Sequence, residues 1–229
     1  MGYFGQAFAE AVRLIIALDS EVLKITFTSI KVSTAAIFFA SLSGVPLGFV
    51  IGISTFKGRG FIITLLNTLM ALPTVVIGLL GYGLISRQGP FGSLELLFTP
   101  TAMVMGQYIL ATPTIIALTI SASQGVDPRI RRTAIVLGAG PFRSAMTMLS
   151  EARFAVIAAI VTGFGRVIGE VGAAMMLGGN IKGYTRNLST AIALETSKGE
   201  FGFGLALGII LMSVALGVNF LLRFLQRKR

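Results

Sequence analysis

The chain has no cysteine, no histidine and no tryptophan. Without cysteine there is no disulfide framework and no thiolate nucleophile; without histidine there is no imidazole base, and the common zinc sites lose their usual ligands. Charge is also scarce. Asp, Glu, Lys and Arg make up 12% of the 229 residues, whereas 54% are hydrophobic, and the mean hydropathy is +0.86. That balance excludes an ordinary soluble domain and places the chain in a lipid bilayer. Acidic residues are scarcest, 9 against 19 basic, for a formal charge of +10. In a soluble protein this excess would suggest a nucleic-acid partner. In a membrane protein it marks the cytoplasmic face, so no nucleic acid is expected.

A spanning helix needs about 20 mostly apolar residues. Val32 to Phe56, Phe61 to Ser86, Leu96 to Val126 and Phe201 to Leu222 contain no charged residue, and Phe154 to Ile181 is equally apolar apart from Arg166 and Glu170. The spans are therefore placed at 32–56, 61–86, 100–122, 154–177 and 203–222. Residues 1–18 are too short to cross. Phe4, Phe8, Ala11, Val12, Ile15 and Leu18 share one helical face and Gln6, Glu10 and Arg13 another, which predicts a helix lying along the interface. No basic residue precedes the apolar part and no cleavage site is evident, so a secretory signal peptide is not expected. The predicted fold is an all-α polytopic membrane protein: five transmembrane helices and an N-terminal interfacial helix in one domain, 1–229.

Orientation follows from the loops. Segments 54–60, 123–153 and 223–229 hold eleven basic residues with only Asp127 and Glu151 against them, while 1–31, 86–100 and 177–202 are nearly balanced. The first set is cytoplasmic by the positive-inside rule, which puts the N-terminus outside and the C-terminus, Gln226-Arg227-Lys228-Arg229, inside a plasma membrane. Gly44, Gly48 and Gly52, Gly204 with Gly208, and Gly169 with Ala173 are small residues at four-residue spacing, suited to close helix packing. Pro46, Pro73 and Pro113 fall within or at the edges of spans and read as static kinks or hinges.

The cytoplasmic loop 123–153 carries its own punctuation. Asp127 caps a helix that starts at Pro128; Ile130, Ala134 and Leu137 share a face, and Gly138-Ala-Gly140-Pro141 ends it. Arg129, Arg131 and Arg132 occupy the other face. The result is a docking knob with apolar contacts framed by basic residues; the plainer alternative is a solvated basic loop.

At this point a family resemblance emerges. Arg132-Thr133-Ala134, three residues, then Gly138 resembles the coupling loop of permease subunits of ATP-binding-cassette (ABC) importers, whose pattern is Glu-Ala-Ala, three residues, Gly. Gly165-Arg-Val-Ile-Gly-Glu-Val-Gly-Ala-Ala-Met-Met and Gly179-Asn-Ile-Lys-Gly-Tyr-Thr-Arg186 are similar to stretches of molybdate, sulfate and tungstate permeases, as is Leu72-Pro-Thr-Val-Val-Ile-Gly78. Arg132 and Thr133 stand where the family usually has Glu and Ala, and Ser150-Glu151 where it has Leu-Pro. With the Met-Met-Leu-Gly-Gly-Asn run, these departures look most like the tungstate branch.

The resemblance implies a type I ABC importer permease fold, one subunit of a homodimer. It also implies two cytoplasmic ABC ATPases, an extracytoplasmic substrate-binding protein and a tetrahedral oxyanion as cargo. ATP and Mg would be bound by the ATPases and no cofactor by this chain, which is not itself an enzyme. Its nearest approach to a phosphate loop, Gly178 with Gly183, is followed by Tyr184 where Lys is needed.

Coupling to the ATPase is expected at Asp127, Pro128, Arg129, Arg131, Arg132, Thr133, Ala134 and Gly138. Arg166 and Glu170, four residues apart, are expected to pair on one helix face, as a structural bridge or as part of a gate. Gln107 and Thr112 are candidate path residues, with Thr114, Asn67 and Thr68 as softer ones. Asn180, Lys182, Thr185 and Arg186 are candidates for closing the outer mouth or receiving the binding protein. Molybdate or sulfate permeases of the same class, an ATP-independent carrier or channel, and a membrane scaffold are the alternatives.

Overall fold

The computed structural model describes residues 3–227, and among these there is no strand. Met1, Gly2, Lys228 and Arg229 lie outside the described residues, as do the side chains of Phe4 and Arg227, so their assigned roles find no counterpart here. Ten α-helices follow in order: α1 Tyr3–Ile16, α2 Ser20–Ile53, α3 Arg59–Met70, α4 Thr74–Ile85, α5 Pro100–Gln124, α6 Pro128–Val136, α7 Pro141–Ile168, α8 Gly172–Gly178, α9 Leu188–Lys198 and α10 Phe201–Arg227.

Helices α2, α5, α7 and α10 are each long and apolar enough to cross a membrane. The bent pair α3–α4 adds a fifth crossing, and packing shows why. Gly44, Gly48 and Gly52 of α2 meet Ile115, Ile116 with Thr119, and Ser123 of α5 in register, so α2 and α5 run parallel. The chain between them must return, and α3–α4 is the return. It is not one straight helix: its halves meet at 93°, with Pro73 as the N-cap of α4. A missing N–H and a restricted preceding residue end α3 there. Pro46 and Pro113 behave differently and sit inside continuous helices.

α5 is the central post, flanked by α2, α3, α7 and α8. α7 runs antiparallel to it, with Gly163 against Ile115 and with Met148, Ala152 and Val156 clustered on Phe49 of α2. α2 is the long element, 34 residues, or about 51 Å, well beyond about 30 Å of hydrocarbon. It begins twelve residues before the expected span because Asp19 caps it, its Oδ1 accepting from the Glu21 and Val22 amides at 2.9 and 3.1 Å. At its other end Arg59 donates to the Ile51 and Gly52 carbonyls, both at 2.9 Å, closing the α2–α3 turn. The two faces of the bundle are called below the Asp19 end and the Ser54 end.

Three packing expectations need correction. α1 does pack on the bundle, against α10, but through Ala7 and Ala11; Phe8 of the expected apolar face is 57% exposed, and Leu18 lies beyond the helix. Within α10, Gly202 lets α1 come close, with the Glu10 side chain lying against it. Nothing approaches Gly208 or Gly169 within 4 Å, so these two are not close-contact glycines. The segment 177–202, taken as loop, contains α9, closed by an Asn187 capping box and by Gly199.

The Gly48 contact yields the first prediction. A Cβ at Gly48 would stand 2.7 Å from the Ile116 carbonyl oxygen, a backbone atom that cannot swing aside. Gly48→Val should lower stability by about 1–3 kcal/mol, read as a lower Tm of the detergent-purified protein. Gly60→Ala, which meets nothing, should be neutral or stabilising.

Candidate functional site: a double helix break and a short capped helix

The fourth span does not run through to residue 177. α7 ends at Ile168, and α8 begins at Gly172, starting beside Thr74 and Val75 at the head of α4. Two interrupted helices thus restart side by side. Their level is fixed by Gln107 and Ile115, which bracket the middle of α5 and contact Val167 and Gly163.

The backbone groups freed at this break are taken up by three elements. Gln107 on α5 donates to the Val167 carbonyl at 3.2 Å, and Ser189 on α9 donates to the Glu170 carbonyl at 2.6 Å. The Glu170 carboxylate accepts from the Ala173 amide at 3.0 Å, capping α8. Gln107 and Glu170 are 1% and 7% exposed. Unsatisfied peptide groups are costly at membrane depth, and these bonds hold the interruption closed.

The expected Arg166–Glu170 pair is therefore absent. The helix stops between the two residues, they share no face, and among the described residues no ion pair joins them. Glu170 turns inward as a cap. Arg166, in the last turn of α7, is half-buried, and its Nε is shielded from solvent without a hydrogen-bond partner.

The other path candidates separate by geometry. Gln107 is a clasp across the break. Thr112 donates to the Tyr108 carbonyl of its own helix at 2.7 Å, and Thr114 is buried with an unpartnered hydroxyl. Asn67 and Thr68 are exposed on α3.

At the Asp19 end, the segment after α8 folds inward. Thr185 is fully buried; its hydroxyl donates to the Gly178 carbonyl and accepts from the Ile181 amide. Arg186 lies between Glu21 on α2, at 3.4 Å, and Glu195 on α9, at 3.9 Å, with only 11% of its side chain exposed. Asn180, at φ 50°, donates to the Thr190 carbonyl at 3.4 Å. Only Lys182 stands out, 68% exposed, and it pairs with Glu21 at 2.6 Å. Glu21, Ser29, Asn187, Ser189 and Glu195, which fasten α9, were not singled out from sequence. The signal was present in Asn187 and Gly199, which bracket eleven helical residues.

At the Ser54 end, α6 links α5 to α7. Asp127 accepts from the Arg129 amide at 2.8 Å, Pro128 occupies the first turn, and Gly138 turns the chain at φ 85°, which a side chain would resist. Arg129, Arg131, Arg132 and Thr133 are all exposed. Ile130 packs on the Phe49, Val126 and Met148 cluster, and Ala134 is half-buried. Leu137 corrects the expected inner face: it is 81% exposed and joins Ile135, Val136 and Phe142 in an outward apolar tip.

This arrangement of parallel and broken helices with a short capped helix at one end is the fold of ABC-importer permeases. The chain superposes on a subunit of an amino acid ABC transporter crystallised with histidines (TM-score 0.70, 15% identity, 94% of this chain and 97% of that one). It also superposes on the MetNI methionine ABC transporter in an inward-facing conformation (TM-score 0.65, 14% identity, 89% and 91% covered). The chain belongs to the binding-protein-dependent transport system inner membrane component family, which matches residues 44–229. It is thus a multi-pass membrane protein and a membrane component of such a system.

Its relatives include the tungstate uptake system permease TupB of Peptoclostridium acidaminophilum, 37% identical over all of both chains. TupB of Campylobacter jejuni is 39% identical over 99% of this chain and 95% of its own. The molybdenum transport permease ModB of Escherichia coli is 28% identical over 85% and 88%.

If Glu170 and Ser189 close the break, Glu170→Ala and Ser189→Ala should each lower stability by about 1–2 kcal/mol. Combined, they should cost less than the sum, because both act at one interruption. Glu170→Gln keeps an acceptor and should lie near the unchanged protein. Thermal unfolding in detergent measures all four.

Proposed function

We propose that this chain is the permease subunit of an ABC importer that moves tungstate into the cytoplasm. The observation that carries this reading is the gradient of identity: 37% and 39% to two tungstate permeases across nearly whole chains, against 28% to a molybdenum permease. Two copies would form the path, two ATPases would sit beneath, and a binding protein would deliver the dianion from outside. ATP hydrolysis belongs to the ATPases. The Ser54 end, with its arginines, faces the cytoplasm under the positive-inside rule, which leaves the N-terminus outside.

The work is a population shift: nucleotide binding draws the ATPases together, and the permease exchanges inward-open for outward-open states. A transmitting element needs a rigid grip on the bundle and a free surface for the motor. α6 supplies both, Ile130 anchored inside and Ile135, Val136 and Leu137 outside among arginines. At the Asp19 end, Lys182 is the docking candidate left exposed; Thr185, Arg186 and Asn180 would act by holding the α8–α9 segment in shape for the binding protein.

Two measurements test this. Deleting the gene should abolish tungsten accumulation at low external tungstate and leave molybdenum largely unchanged; unchanged tungsten uptake would refute the substrate assignment. In proteoliposomes holding the permease, its ATPase and its binding protein, accumulation should require ATP. Ala134→Pro, which breaks α6 at a cost of about 3 kcal/mol, should abolish binding-protein-stimulated hydrolysis while the permease still inserts. Transport without any ATPase would refute the importer class.

A further inference from the structure

One face of α7 differs from the bulky exposed faces of α2 and α10. Ala155, Ala158, Thr162, Gly165 and Gly169 recur at helical spacing, all exposed or half-buried, and Arg166 lies within the same arc. No large apolar side chain between Met146 and Val171 is exposed. The lipid-type faces elsewhere are lined by bulky groups: Phe38, Phe39 and Leu42 on α2, Met212, Leu216 and Phe220 on α10. Among the described residues nothing lies within 4 Å of a Cβ built at Gly165 or Gly169, so the stripe is open at these two positions. A face of small residues with a cation at mid-depth suits water or a second helix rather than acyl chains.

Arg166 also lacks the counter-charge that sequence spacing promised. Glu170 is committed to capping α8, and the guanidinium Nε is shielded and unpartnered. An intramembrane arginine with no ion-pair partner among the described residues invites compensation from outside them.

We propose that the α7 stripe lines a hydrated anion path facing the same stripe of a second copy, and that the two Arg166 guanidinium groups are the transit contact for a tetrahedral dianion. This rests on the importer reading above and deepens it. Each guanidinium offers up to five N–H donors in a fork suited to oxyanion oxygens. The small residues leave the space a hydrated anion needs, and the contact is two-sided only when both copies are present. With Glu170 withdrawn, the path carries net positive charge instead of a neutral pair.

The absence of cysteine makes the test direct. Thr162→Cys and Gly165→Cys are introduced singly into the complete transporter, with ATPase and binding protein, and kept only if they accumulate tungstate. Each is reacted with an anionic and a cationic methanethiosulfonate of similar size, rates being taken relative to a small free thiol. The anionic reagent should be favoured about tenfold, saturating tungstate should slow it, and Arg166→Gln should remove the preference while Arg166→Lys keeps it. A short bifunctional thiol reagent should join two copies through Gly165→Cys.

A cysteine reached by neither reagent, a charge preference indifferent to Arg166→Gln, or no cross-link between copies would overturn the proposal. If the unsubstituted transporter moves no tungstate, the importer reading fails first and this one with it. If it moves tungstate and the labelling fails, only this inference falls.

Discussion

Hydrocarbon offers a peptide group nothing to bond with, so every interruption of a membrane helix has to be closed by the protein itself. Here two interruptions meet at mid-depth, between α3 and α4 and between α7 and α8. Gln107, Glu170 and Ser189 come from three parts of the chain to satisfy one break. Ser29 on α2 then accepts from the Leu188 amide at 2.6 Å, which ties α9 to the longest helix. The outer segment, the central post and the broken span therefore form one connected network.

That network explains the division of charge. Glu170 is consumed locally as a helix cap, and Arg186 is consumed at the Asp19 end between two glutamates. Arg166 is left within a stripe of small residues on α7. A permease that hands on a dianion has reason to hold it weakly, and one cation per copy in a hydrated path suits that better than a fully formed dry pocket. Under the proposed importer reading, tight selection among similar tetrahedral anions would belong with a separate binding protein. The mechanical input would arrive at the opposite end through α6, which Ile130 anchors and whose apolar tip is exposed.

Much of the architecture was legible in the residues. The bilayer setting, the short helix with its Asp127 cap and Pro128 start, the Gly44–Gly48–Gly52 packing stripe and the family all follow from composition, punctuation and short motifs. What misled was continuity. An apolar run without charge reads as one helix whether or not it is broken, so 61–86 and 154–177 were drawn as single spans. Pro73 was a visible warning, whereas the Gly169–Glu170–Val171 stop had none as strong. Four-residue spacing implies a shared face only while the helix continues, and at Glu170 it does not.

The sequence alone determined that this chain lives in a membrane, which of its segments are apolar enough to enter it, and which family it resembles. These depend on local chemistry: hydropathy, caps and charge counts are properties of neighbours in the chain. Which polar residues serve the fold and which are left free was decided only in three dimensions, because a side chain 60 residues away, Gln107, chooses the carbonyl it satisfies by where the helices pack. Tertiary packing turned Glu170 inward, buried Thr185 and left Arg166 without an ion-pair partner among the described residues.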